Sequence, residues 1–386
     1  MNNQYFFIEL ILFKNEFYFD SNLRKFTVNS WIMKKAVKIS LWSLLVLAII
    51  IGGIIAFFIA TDFRPAPIIS LVEESHQTAD TIKQDTLVLM SWNIGYAGLG
   101  KEMDFFYDGG KKVRPSKEMA RKYLDGIKSF VQSQDSVTFI LLQEIDLKAK
   151  RSHKMNEVKE MAEAAGNRSL FFAINYSVPF VPVPITQPMG YVEGGMVTFS
   201  DFYPSEATRF AYPLIAPWPD RLFLLDRCFI LTRFPLKNGK DLVVINTHNS
   251  AFVSDSLLMA EELEILKVKM LEEYAAGNYV IAGGDWNANP PNFLPEGDYN
   301  GNKFAVCDIR MNEKTMPATW VWAIDPTAPT NRYNDKAFIK GENRTTTLDY
   351  FLVSPNLGII FTKTVDLGFE DSDHNPVFVK VFLKEK

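Results

Sequence analysis

Eight polar residues stand directly after, or at the mouth of, short apolar runs. Asn93 follows TLVLMSW, Glu144 follows VTFILLQ, His248 follows VVINT, Asp285 and Asn287 close VIAGGDWN, Asp349 sits in TTLDYFLVS, and Asp373 with His374 precedes NPVFVKVFL. Carboxylate and amide oxygens joined by imidazoles, with no thiolate among them, form a hard donor set that suits Mg2+ or Mn2+ rather than zinc or copper. Phosphoryl transfer to water uses such a set. A cation offsets charge on the non-bridging oxygens, one group orients the attacking water, and histidine or asparagine donors stabilise the pentacovalent charge. The sequence holds no serine or cysteine nucleophile motif and no glycine loop with its phosphate-binding lysine. Singly, each of these residues has a plainer reading as a turn former or packing residue, and that reading is the one given to His76 and His153. The conjunction carries the weight. Gly283-Gly284 before Asp285 implies close backbone approach, and Asp373-His374-Asn375-Pro376 puts two titratable groups at a strand entrance.

Strands and helices must bring these positions together. TLVLMSWNI (86–94) reads as a strand, PSKEMARKYLDGIKSFVQSQ (115–134) as a helix with proline in its first turn, and VTFILLQEI (137–145) as a buried strand. Residues 151–165 suit a helix closed by Gly166. Strands follow at LFFAI (170–174), GGMVTFS (194–200), a long or bent RLFLLDRCFILTRF (221–234), and LVVINTH (242–248). Ser254 or Asp255 caps a helix running to Ala276, with Gly277 as its stop. YVIAGGDWN, TTLDYFLVS and NPVFVKVFL complete the strands. Adjacent strands without helices between them, mixed with strand–helix units, predict substantial antiparallel pairing and two sheets packed face to face with helices outside. The Pro- and aromatic-rich stretches 176–191 and 210–219 are ordered irregular loops in this reading, either facing substrate or packed on the core.

Ile39 to Ala60 is a run of 22 residues without charge, and at about 1.5 Å per residue it spans a hydrocarbon core of about 30 Å. Arg24, Lys25, Lys34, Lys35 and Lys38 precede it, whereas Asp62, Arg64, Glu73 and Glu74 follow. The positive-inside bias therefore predicts a single-pass anchor (39–60) with residues 1–38 cytosolic and everything beyond extracytoplasmic. No A-x-A site marks a cleaved signal peptide. MKKAVKISLW, from Met33, looks more like a natural start than Met1, and residues 1–32 are assigned no fold. Residues 61–84, polar with Pro65 and Pro67, read as a tether, and a catalytic domain occupies 85–386. The first 60 residues hold six Lys/Arg and three Asp/Glu, so of the chain's 41 basic and 45 acidic residues 35 and 42 follow, a net charge of about −7. That is a poor footprint for nucleic acid. Two cysteines, Cys228 and Cys307, are too few for a disulfide scaffold, and together with four histidines they leave structural zinc aside.

WNIGY, LLQEID, INTHNS, GGDWNANP, LDYFLVS and SDHNPV, in this order from about Thr86 to Phe382, resemble the successive signatures of the endonuclease/exonuclease/phosphatase superfamily. Pancreatic deoxyribonuclease, abasic-site endonucleases, neutral sphingomyelinases and inositol-polyphosphate 5-phosphatases share that fold. The resemblance implies an α+β, four-layer α/β/β/α sandwich of two mixed sheets with one active site at the strand ends. It implies Glu144 as principal ligand of Mg2+ or Mn2+ with Asn93 and Asp373 beside it, Asp285 with Asn287 orienting water and contacting phosphate, His374 paired with Asp349, and His248 as acid or phosphate donor. Glu193 is a candidate partner for His248, although EGGMVTFS departs from the family's usual spacing.

The expected reaction is metal-assisted in-line hydrolysis of a phosphodiester, a lipid or another small one being favoured. A nuclease would need a patch built from Arg209, Arg221, Arg227, Arg233, Arg310, Arg332 and Arg344. A lipid phosphodiesterase would use the anchor and the aromatic loops at headgroup level, and a sugar- or inositol-phosphatase would draw a cationic pocket from TNRYNDK (330–336). A non-catalytic, membrane-tethered binding module, the alternative from another class, predicts the loss of at least one of the eight positions, and all are present.

Overall fold

Side chains that alternate along each strand sort the apolar residues onto two faces, and this decides the layering. The computed structural model describes residues 30–71, 79–214, 216–251 and 256–384. In chain order its strands are β1 (Ile68–Ser70), β2 (Thr86–Asn93), β3 (Phe139–Ala149), β4 (Ser169–Val181), β5 (Gly190–Ser200), β6 (Glu206–Ala211), β7 (Cys228–Pro235) and β8 (Asp241–His248). There follow β9 (Tyr279–Asp285), β10 (Lys303–Phe304), β11 (Val321–Ala323), β12 (Asn331–Arg332), β13 (Arg344–Thr346), β14 (Asp349–Val353), β15 (Leu357–Thr364) and β16 (Val377–Leu383). The α-helices are α1 (Ser30–Ala60), α2 (Lys117–Gln132), α3 (Glu157–Ala165) and α4 (Ser256–Ala275).

Seven strands pair in the order β1-β6-β7-β8-β9-β14-β11 and six in the order β15-β16-β2-β3-β5-β4, with β10-β13-β12 as a small third sheet. Both large sheets are mixed: β2 runs parallel to β3 and β8 parallel to β9, whereas neighbours such as β9 and β14 are antiparallel. Between the sheets, Leu87, Leu89, Phe139 and Leu141 meet Leu242, Val244, Ile281 and Phe351. The alternate residues Met90, Trp92, Ile140 and Leu142 turn outward onto Tyr123, Leu124, Ile127 and Met161 of α2 and α3. On the far side, Val243, Ile245, Val280 and Ala282 pack on Met259, Leu266 and Met270 of α4. The result is an α+β sandwich of four layers, as the pattern predicts. Each fully buried Leu or Phe of these layers contributes about 1.5–3 kcal/mol.

Helix ends follow local chemistry. Ser116 Oγ accepts from the Met119 amide and caps α2, so Pro115 lies outside the helix rather than in its first turn. Asn156 caps α3 through the Lys159 amide, which delays the helix to Glu157 while Arg151 turns back to Asp146. The expected caps Ser254 and Asp255, together with Glu73, Glu74, His76, Arg24 and Lys25, lie outside the described residues. Other differences concern strands. The segment 221–234 is not one strand: residues 220–223 form a 3-10 turn and β7 begins only at Cys228. β4 continues through Pro179 to Val181, because Pro179 falls in a register shift between Val178 and Val181 on an edge strand, where the ladder takes no donor from it. Within the segment read as a tether, Ile68–Ser70 pairs with β6 and Ile82 is buried against the inner core. Cys228 and Cys307 are free thiols.

The chain divides into two units between Phe57 and Phe58. Helix α1 runs past this boundary, and its Met33–Ala60 stretch is long and apolar enough to cross a membrane. It begins at Ser30, ahead of the expected start at Ile39, because the residues around Lys34, Lys35 and Lys38 are good helix formers.

Candidate active site

Register aligns the polar residues. Parallel pairing of β8 with β9 sets His248 opposite Asp285, and antiparallel pairing of β9 with β14 sets Asp285 opposite Asp349. In the facing sheet Asn93 lies opposite Gln143, which leaves Glu144 one position further along β3. Val377 pairs with Ser91, so Asp373 and His374 arrive at the same edge just before β16. The two sheets are joined there, since Asn93 Nδ2 donates to Asp285 Oδ2 at 2.9 Å. Beneath this contact Gln143 Nε2 donates to Asn246 Oδ1 at 2.7 Å, and Asn246 Nδ2 donates to the Val197 carbonyl at 2.9 Å. These buried hydrogen bonds tie the two sheets together beneath the site, with Gln143 Oε1 left without a partner among the described residues.

Asp285 is held at both oxygens, because the Asn287 amide donates to Oδ1 at 2.9 Å. Asn287 Nδ2 donates to the Asn249 carbonyl at 2.7 Å. His374 Nδ1 donates to Asp349 Oδ2 at 2.7 Å, and His374 Nε2 lies 3.8 Å from Asp285 Oδ2. His248 Nε2 is 3.6 Å from Asp285 Oδ2 and 3.7 Å from Glu144 Oε1. Asp373 accepts from Asn334 Nδ2 at 2.7 Å. The eight positions singled out in the sequence are thus gathered at one edge. Glu144 and Asn287 have φ of +52° and +50°, a left-handed backbone that costs about 1–3 kcal/mol for such residues and survives where its surroundings over-determine it.

The two histidines are driven apart. Burial disfavours charge on His374, yet the carboxylates of Asp349 and Asp285 outweigh it and hold its pKa well above the usual range, so it is an imidazolium. Burial, reinforced by the charges of Arg227, His374 and Arg151, holds His248 well below that range and keeps it neutral. Burial raises Asp285 to about 6, against the opposing charge of His374. Glu144 is also raised, by burial first, with Arg151 opposing and Asp373 adding to the shift.

Two groups of ligand atoms come into question for a cation. Asp285, Asp349 and His374 bring theirs within 4.8 Å of one another. That group already spends His374 Nδ1 on Asp349. Glu144 fits better. About a quarter of its side chain is exposed, no group among the described residues hydrogen-bonds its carboxylate, and the charge of Asp373 acts on it. Asn93 adds an amide oxygen that, among the described residues, takes only the Gly95 amide, at 3.0 Å. Carboxylate and amide oxygen donors of this kind suit a hard divalent cation.

Several residues were not legible as parts of this site. Asn331 Nδ2 lies 2.9 Å from His374 Nε2 and 3.4 Å from the Asp373 carbonyl; opposite an imidazolium the amide turns over to present its oxygen. Asn334 bridges Asp373 and Asp108. Both fall in TNRYNDK, a segment read as a cationic pocket, but Arg332 is buried and donates to the carbonyls of Leu99, Gly100 and Met103. Glu193 does not serve His248: its carboxylate accepts from Tyr191 Oη at 2.6 Å, and His248 Nδ1 has no partner among the described residues. His153 has the structural role expected of it, donating to the Pro115 carbonyl at 2.9 Å.

A family model described as "Endonuclease/Exonuclease/phosphatase family" matches residues 90–374. No curated protein matches the chain. Similar solved structures include the endonuclease/exonuclease/phosphatase from Beutenbergia cavernae DSM 12333, with TM-score 0.50 and 16% identity over 78% of this chain and 72% of that one. TDP2 from Caenorhabditis elegans has TM-score 0.49 and 12% identity over 78% and 75% of the two chains. The endonuclease/exonuclease/phosphatase from Bacteroides vulgatus has TM-score 0.47 and 14% identity over 78% and 100%. At such identities the likeness is one of fold.

Proposed function

The chain belongs to the endonuclease/exonuclease/phosphatase family, typically hydrolases of phosphoester bonds, and from this we propose that it hydrolyses the phosphodiester of a lipid or another small molecule with Mg2+ or Mn2+. The observation that carries this reading is the meeting of Asn93, His248, Asp285 and the Asp349–His374 pair across two sheets.

In this reading Asp285 is the base. Held by Asn93 and Asn287, it takes a proton from the attacking water while the new P–O bond forms and the bond to the leaving oxygen breaks. The leaving oxygen is protonated from solvent. His374, kept cationic by Asp349, donates from Nε2 to a phosphoryl oxygen, displacing Asn331. Neutral His248 donates from Nε2 to a non-bridging oxygen, a donor's role rather than an acid's, and Asn287 contacts the phosphate. Glu144, Asn93 and Asp373 would hold the cation, which when bound neutralises charge on the phosphoryl oxygens.

Against a nuclease, several of the arginines that would track a nucleic-acid backbone have partners within the fold. Arg209 donates to the carbonyls of Ile174 and Asp226, Arg233 pairs with Glu206 and Glu273, and Arg344 stacks on Tyr333. The purified protein should hydrolyse an aryl phosphodiester with Mg2+ or Mn2+ and stop with chelator. Asp285→Ala and His374→Ala should each lower kcat at least about a hundredfold with the circular dichroism spectrum unchanged. Wild-type turnover in either variant would remove its assigned role. Faster cleavage of duplex DNA or RNA than of sphingomyelin or inositol phosphates would overturn the substrate class.

A further inference from the structure

The β4–β5 hairpin turns through residues 182–189 and carries Ile185, 90% exposed, with Val183 and Phe180 exposed beside it. Trp218, 58% exposed, and Leu224 stand out from the segment 217–225. These form one surface rather than scattered residues. Tyr176 Oη donates to the Phe223 carbonyl at 3.1 Å, and Phe223 and Leu225 pack against the cluster that holds Val181 and Met189. A contiguous exposed apolar crest is an interaction site, since isolated exposed residues alone would mean nothing.

Continuity of the chain says what covers it. Phe58–Ala60, the last residues of α1, fall in the same unit as the sandwich. The Phe58 ring packs edge-on against Phe223 with centroids 5.1 Å apart. Asp62, nearly buried, is held by Arg221 at 3.3 Å and by Arg64 at 2.7 Å. The segment bearing Trp218 and Leu224 is therefore clamped to the chain within a few residues of the end of an apolar stretch long enough to cross a membrane. At the base of the hairpin Lys148 lies over the Tyr191 ring, Lys150 lies against Gly190, and Arg114 donates to the Pro188 carbonyl at 3.4 Å. In an otherwise acidic unit, this basic collar below an apolar crest suits lipid phosphates above acyl chains.

We propose that the β4–β5 hairpin and the 217–225 segment rest in the headgroup region of the bilayer crossed by α1, so that the phosphodiester hydrolysed is that of a lipid in that membrane. The crest adjoins the catalytic edge: Arg151 lies 5.6 Å from the Tyr176 ring and 3.7 Å from the Tyr96 ring, and its charge acts on Glu144. A headgroup thus reaches the site without leaving the surface. The substrate half of this inference rests on the phosphodiesterase reading, and the docking half does not.

The test uses the full chain in phosphatidylcholine vesicles with brominated acyl chains, carrying an environment-sensitive fluorophore on Ile185→Cys or, as control, on Lys237→Cys in the β7–β8 turn at the opposite strand ends. Bromine should quench the label at 185 and spare the one at 237. An unquenched label at 185 overturns the docking, including the case in which it is shielded instead by a second copy of the chain. Ile185→Asp combined with Trp218→Ser should lower turnover of a phosphodiester lipid in the vesicles at least about tenfold and leave a soluble aryl phosphodiester within about twofold. Equal losses on both substrates would mean a folding defect and overturn the proposal. If the wild-type chain cleaves neither ester while quenching persists, the phosphodiesterase reading falls and the membrane contact stands.

Discussion

As the proposed base, Asp285 works only as a carboxylate, and its burial raises the pH at which it becomes one. With the pKa at about 6, the ionised fraction grows as pH climbs through that value and falls about tenfold for each unit below it. The profile of kcat/KM on an aryl phosphodiester should therefore show an acid limb with its midpoint near 6, and a limb near the ordinary value of about 4 would take Asp285 out of the base's role. In the proposed mechanism Asn331 occupies His374 Nε2 at 2.9 Å only until a phosphoryl oxygen displaces it, so Asn331→Ala should leave kcat within about twofold, whereas His374→Ala should lower it at least about a hundredfold, both read from the steady-state rate on an aryl phosphodiester. These residues differ in how visible they are in the sequence. Asn93, Glu144, His248, Asp285 and the Asp373-His374 pair show because polar groups recur at the ends of successive apolar runs, a conjunction that turn formation at any single position does not explain. Asn331 and Asn334 do not show, since asparagine in a polar loop is what any turn contains; only tertiary structure sets them against His374 and Asp373.

Strand β9 shows how an element's backbone is fitted to its neighbours. Gly284 has φ of +152°, and a Cβ there would stand 1.9 Å from the Thr247 carbonyl oxygen, while one at Gly283 would strike the Phe351 ring. Gly284→Ala must push β8 from β9, and with strain and overpacking together should cost about 3 kcal/mol or more, read as a lowered urea midpoint; an unchanged midpoint would deny the close approach. The glycine pair betrays this approach in the sequence, as the runs 86–94 and 242–248 betray β2 and β8. Other elements hide for physical reasons. β4 passes through Pro179 because an edge strand needs no donor there, and β1 is three residues long in a Pro-containing stretch, so it has too few alternations to register as a strand. The break in 221–234 arises because Arg221 and Phe223 are drawn to Asp62 and Phe58, contacts across some 160 positions that no local pattern contains.

At the scale of the whole molecule, charge and attachment oppose each other. Beyond residue 60 the chain carries a net charge of about −7, which repels an anionic leaflet over a Debye length of about 8 Å at physiological salt. A basic collar of a few lysines does not overcome that over the whole unit, so in the proposed reading approach to a membrane depends on the covalent link to α1. Such a link would hold the site at an effective concentration of the order of mM, far above any that a dilute, repelled enzyme attains. The unit boundary between Phe57 and Phe58 provides the means to separate the two effects. A chain beginning at Phe58 should hydrolyse a soluble aryl phosphodiester within about twofold of the full protein, yet lose at least about a hundredfold on a phosphodiester lipid in vesicles at equal bulk concentration. Raising salt should recover part of that loss on anionic vesicles and none on zwitterionic ones, because screening removes repulsion and leaves the missing tether unreplaced. Equal turnover of vesicle lipid by the two forms would show that the helix does not deliver the active site to its substrate.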